Sequence, residues 1–132
     1  MKKALFLSIG VLGTFIVPVH AEPTPTIAVV DVGVASSVIS NVVTEVCIVE
    51  SLTCPNGKKF MEGPGAATIG VSNIAAVNHG TNMVSVINKV NPTVGIIPIK
   101  IAATNSNGNL AIYTNDAVKS ALNWVVANRV KY

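Results

Sequence analysis

Two kinds of apolar run alternate along this chain. Ile27-Ala28-Val29-Val30 is continuous and rich in β-branched residues. That is the composition of a strand buried on both faces. Pro23 and Pro25 hold the polar lead-in before it extended. The run ends at Asp31-Val32-Gly33-Val34, so an acid stands at the carboxyl end of a strand, the edge where open α/β sheets place their sites. A helix cap or a turn is the plainer role for such an aspartate. From His79 to Val90 the spacing changes. Met83, Val84, Ile87 and Val90 recur at helical intervals, which predicts a helix that Asn91-Pro92 ends. Gly80 falls in its first turn, where a glycine is tolerated. Val94 to Ile101 reads as a second buried strand. Pro98 within it belongs at a strand end or where no backbone donor is needed. Ala117, Val118, Ala121, Leu122, Val125 and Val126 form a second helical stripe, with Trp124 beside it and Lys119 and Arg129 on the other side. Thr114-Asn115-Asp116 supplies its cap and an early negative charge.

The segments between are less patterned. Ala35 to Gly70 reads as a loop-rich excursion with at most one short strand near Val46 to Val49. Cys54-Pro55-Asn56-Gly57 and Gly63-Pro64-Gly65 carry strong turn chemistry. Thr104 to Asn109 is an exposed loop by composition. The order of strand, loops, helix, strand, loop and helix implies an α/β fold: a parallel sheet with flanking helices joined by right-handed crossovers. The last predicted element is a helix with no strand after it, the pattern of an interrupted α/β unit.

Composition narrows the function classes. The chain has 132 residues, half of them hydrophobic and 11% charged, which suits one small domain with a buried core. Lys2 and Lys3 belong to the leader; subtracting them from nine basic residues leaves seven against six acidic ones. No basic stripe remains, which argues against nucleic acid as a partner. Met1–Ala21 has the layout of a cleaved signal peptide: Lys2-Lys3, an apolar stretch from Ala4 to Val19, and Val19-His20-Ala21 at the cleavage site. The stretch is shorter than the ~20 residues of a spanning helix. The expectation is a secreted or periplasmic protein of residues 22–132 without a stable membrane anchor. In an oxidising compartment Cys47 and Cys54 either form a bridge or stay as two buried thiols. Two thiols with no second pair and no nearby histidine do not suggest a metal site, and no cofactor is expected.

His79 then becomes the candidate of interest. A lone His-Gly is ordinarily a turn. Here the histidine opens a helix, and Asp31 ends a strand that meets the same sheet edge. An aspartate accepting a hydrogen bond from imidazole fixes its tautomer and stabilises the imidazolium. What the pair lacks is a nucleophile.

At these residues the chain resembles the N-terminal part of a subtilisin-like serine peptidase (a subtilase). Ile27-Ala28-Val29-Val30-Asp31-Val32-Gly33-Val34 is similar to the family's aspartate motif, and Asn78-His79-Gly80-Thr81-Asn82-Met83-Val84-Ser85 to its histidine motif. Ile97-Pro98-Ile99-Lys100-Ile101 and Ala117 to Asn128 resemble the strand and helix that follow. The resemblance implies part of a three-layer αβα domain and an Asp-His-Ser triad. Asp31 would be the orienting acid and His79 the general base, then general acid. The family's Gly-Thr-Ser-Met-Ala serine motif and oxyanion asparagine lie downstream of the matching stretches and are not among these residues. Val32 stands where the family usually has Ser or Thr, Asn78 where Gly is usual, and Asn82 where a second His or an apolar residue is common. The Asn88-to-Gly95 link has no carboxylate for the calcium site of many relatives. The resemblance thus implies peptide or protein substrates, a complementary chain carrying the serine motif, and little hydrolysis by this chain alone. The alternatives are a non-catalytic exported binding or scaffold protein and a decayed gene fragment.

Overall fold

The computed structural model describes residues 24–69, 75–102 and 113–132. The leader Met1–Ala21, with His20, and the loop Thr104 to Asn109 lie outside the described residues. Strand β1 spans Thr26–Asp31, β2 Val46–Ile48, β3 Phe60–Glu62 and β4 Gly95–Lys100; helix α1 spans His79–Val90 and α2 Asn115–Asn128. The strands form one open sheet in the order β1-β4-β2-β3. β4 runs parallel to both β1 and β2, and β3 is antiparallel to β2. The fold is α/β, but the sheet is mixed rather than wholly parallel. The physical reason is the turn at Cys54 to Lys58. Gly57 takes φ +77°, its N–H donates to Cys54 O, and Cys54 N–H donates to Lys58 O. That reversal makes β2 and β3 a hairpin.

β4 is the central strand because its sequence is apolar at every position but its last. Its alternate residues serve opposite faces. Ile96 packs with Val29, Val34, Val84 and Val94, the cluster beneath α1. Ile97, Ile99 and Ile101 pack with Val46, Ile48, Ala117 and Ala121, the cluster beneath α2. One helix therefore covers each face. Small side chains at Ala117 and Ala121 let α2 sit close to the sheet. Its cap is Thr114, whose Oγ1 accepts from Ala117 N–H at 3.2 Å. The outer half of the α2 stripe stays in water, with Leu122 and Val126 both more than half exposed.

Pro98 is buried in the middle of this strand. Ile96 N–H donates to Asn41 O and Ile96 O accepts from Val43 N–H. By strand alternation the nitrogen of Pro98 faces the same side. There the ladder breaks between the Val42–Ile96 bridge and the start of β2, which pairs Val46 with Ile99. A residue without an N–H fits this gap.

Candidate active site

Asp31 is the last residue of β1 and His79 the first of α1. The structure brings them together. His79 Nδ1 lies 2.7 Å from Asp31 Oδ2. The aspartate side chain is 12% exposed and the imidazole 58%. The acid thus sits in the fold, and the ring it holds stands at the surface. The other carboxylate oxygen, Oδ1, accepts from Val32 N–H at 2.7 Å. Val32 has no side-chain donor, and its bond to the acid is made by the backbone N–H. Asp31 O accepts from Ile101 N–H at 3.0 Å, which ties the strand end to β4. With both oxygens committed, the aspartate is held against the ring. An acceptor on Nδ1 keeps the proton there and leaves Nε2 to take one from elsewhere.

Two glycines allow this approach. Gly33 turns the chain after the acid with φ +111°. A Cβ there would come within 2.5 Å of Ala67 O. Gly80 follows the histidine and is buried; a Cβ on it would collide with Gly33 O. The first turn of α1 therefore rests directly on the backbone of the Asp31–Gly33 turn. Thr81 completes the contact, its Oγ1 accepting from Ala35 N–H at 2.9 Å. In His-Gly-Thr the first residue supplies the ring, the second the close approach and the third the tether. The sequence pointed to the histidine; the matching glycine in the aspartate turn was the available signal for the contact.

Beside the pair opens a cleft of about 570 Å³, lined by Val30, Val32, Ala76, Ile101, Tyr113 and Val118 together with Asp31 and His79. Its walls are largely apolar. Lys100, paired in register with Asp31, is half-buried on β4, and burial pushes its ammonium below the usual lysine range.

Glu45 was not singled out from the sequence. It is a single acid in the otherwise mostly apolar stretch Val42 to Val49, and it is buried. Its Oε2 accepts from Ala67 N–H at 2.9 Å. Thr68 Oγ1 donates to the same carboxylate, 2.9 Å from Oε2 and 3.0 Å from Oε1. Cys47 and Cys54 are bonded to each other, with Cα atoms 5.9 Å apart, and both are buried. Among the described residues no group of three or more His, Cys, Asp or Glu side chains is placed to hold a metal ion. Among them, too, no helix is long and apolar enough to cross a membrane.

Comparison with protein-family models, with curated proteins and with solved structures finds no match.

Proposed function

We propose that this chain carries the acid–base part of a subtilisin-like serine endopeptidase. The observation that carries the reading is the 2.7 Å contact between His79 Nδ1 and Asp31 Oδ2 at the carboxyl edge of the sheet. The mixed sheet with a helix on each face serves as part of a three-layer αβα domain. The hydroxyls nearest in sequence to His79 are occupied: Thr81 Oγ1 accepts from Ala35 N–H, and Ser85 Oγ donates to Thr81 O. In the subtilisin-like reading the nucleophile comes from a Gly-Thr-Ser-Met-Ala motif that is not among these residues, and it is assigned to a separate segment or chain. His79 Nε2 takes that hydroxyl's proton as its oxygen bonds to the scissile carbonyl carbon. The imidazolium, held by Asp31, then gives the proton to the amine nitrogen as the C–N bond breaks. Water repeats the sequence on the acyl ester, regenerating the serine. The apolar cleft receives a side chain of the peptide substrate, and the leader directs export.

The test is complementation. Co-expression of the chain with the serine-bearing half of a subtilisin-like peptidase should yield peptide hydrolysis. His79→Ala and Asp31→Asn should each reduce it by about 10³-fold or more, as triad lesions do elsewhere. Hydrolysis that His79→Ala leaves unchanged would refute the assignment.

One observation favours a second reading, a non-catalytic binding protein on the same scaffold. Met83, Val86 and Val90 on α1, and Leu122 and Val126 on α2, are exposed apolar side chains at helical spacing, a pattern that suits a protein partner. Partner binding that persists in Asp31→Ala would favour that reading.

A further inference from the structure

We propose that Glu45 is a positioning residue for the Asp31–His79 pair, an inference that rests on the catalytic reading of that pair. Glu45 is only 6% exposed and touches neither residue of the pair. Its carboxylate instead fastens the segment Ala66 to Ile69, through Ala67 N–H and Thr68 Oγ1. Its own carbonyl accepts from Gly63 N–H at 2.8 Å, and Ala66 N–H donates back to Gly63 O. The segment is therefore held at its entrance by backbone and along its middle by a side chain.

That segment is the backing of the catalytic turn. Val34 N–H donates to Ala67 O at 3.0 Å, and Ile69 N–H donates to Val34 O at 2.8 Å. These bonds make a short parallel bridge between Val34 and Thr68. Ala67 O is also the atom that leaves no room for a side chain at Gly33. Gly33 O in turn abuts Gly80, next to His79. Glu45, Ala67, Gly33 and Gly80 form one contiguous stack ending at the imidazole. Beyond the Glu45 carboxylate its closest approaches, Ala67 O to Gly33 and Gly33 O to Gly80, are backbone on backbone, so the stack has little slack. Released from Glu45, Ala67 and Thr68 no longer press the Gly33 turn toward α1, and the Asp31–His79 geometry loosens. A carboxylate suits this position because it accepts from a backbone N–H and a hydroxyl at once. An amide of the same shape retains an oxygen for both.

The readout is the tautomer of His79. Ring ¹⁵N shifts of the full chain distinguish Nδ1–H from Nε2–H, and the His79 signal is identified by its loss in His79→Gln. Wild type should hold the Nδ1–H form, and Asp31→Ala should lose it. Glu45→Ala should lose it to the same extent, whereas Glu45→Gln should retain it. A folded Glu45→Ala with the wild-type tautomer overturns the proposal, as does a Glu45→Gln that behaves like Glu45→Ala. If Glu45→Ala does not fold, Thr68→Val decides. It removes the hydroxyl's bonds to Glu45 and to Ser36 Oγ, so Ser36→Ala is measured beside it. A partial loss of the Nδ1–H form in Thr68→Val that Ser36→Ala does not reproduce supports the proposal, and no change, or an equal loss in both, overturns it. A wild-type tautomer that Asp31→Ala leaves unaltered fails the pair itself, an outcome separate from a failure of Glu45 alone.

Discussion

A side chain on Gly80 would meet Gly33 O and come within 3.1 Å of Asp31 Cβ. Alanine is ordinarily better than glycine in a helix by about 1 kcal/mol, so Gly80→Ala sets propensity against packing. Packing should win, because the obstructing atom is backbone and cannot rotate aside. The expected outcome is a loss of about 1–3 kcal/mol, measured as a lower urea midpoint, with the His79 Nδ1–H signal lost as α1 is pushed off the turn. Gly57 provides the control. It also has a positive φ, yet nothing lies within 4 Å of a Cβ built there. Gly57→Ala should show only the left-handed strain of about 1–2 kcal/mol and leave the histidine signal unchanged.

The elements show where sequence pattern is informative. α1 was legible because its apolar spacing, its early glycine and Asn91-Pro92 all agree. β1 and β4 were legible because continuous β-branched runs suit buried strands. β3 was not. Phe60-Met61-Glu62 has no apolar alternation of its own, and its pairing is set by the turn before it and the disulfide beside it. The Asp31–His79 pair was legible as two motifs, since each ends or begins a patterned element. Glu45 was illegible because its partners lie 22 and 23 residues away in an unpatterned loop.

Glu62 on β3 shows how that short strand is held. Its carboxylate accepts from Lys131 Nζ at 2.7 Å, Tyr132 OH at 2.8 Å and Trp124 Nε1 at 3.4 Å. The bond from Lys131, more than those from Tyr132 and Trp124, holds its pKa below the usual carboxylate range against the opposing effect of burial. The unfolded chain therefore binds a proton at Glu62 before the folded one does. The stabilisation is complete above an unperturbed glutamate's pKa of about 4.3 and is lost as pH falls through the lower folded value. It is small, as exposed ion pairs are. Glu62→Gln should be less stable than wild type at neutral pH, and the difference should close under acid. Trp124 is the only tryptophan and stacks on Tyr132 with ring centres 5.9 Å apart, so its fluorescence during urea unfolding reports directly on this cluster. A difference that stays constant down to acid pH would remove Glu62 as its source.

At the scale of the whole molecule, the disulfide end and the histidine end are one mechanical unit. Cys47, Cys54 and Val49 pack with Ala66, and Met61 lies at the edge of that cluster. Ala66 precedes Ala67, whose N–H meets Glu45 and whose carbonyl meets Val34. The bridge thus anchors the loop that backs the Asp31–Gly33 turn as well as the β2–β3 hairpin in which the two cysteines sit. Cys47 and Cys54 are seven positions apart. Loop-closure entropy for so short a ring amounts to about 2–3 kcal/mol. Replacing both cysteines by alanine should lower global stability by at least roughly that amount, since some packing is lost as well. The loss should also be distributed unevenly. Hydrogen exchange should quicken most at Val34, Ala67 and Ile69, whose bonds depend on the loop. The Gly95 and Ile101 amides, which bond Pro25 O and Asp31 O across the other edge of the sheet, should quicken only as far as the global change requires. Uniform acceleration at all five amides would mean that the bridge stabilises the fold without specifically supporting the turn beneath His79.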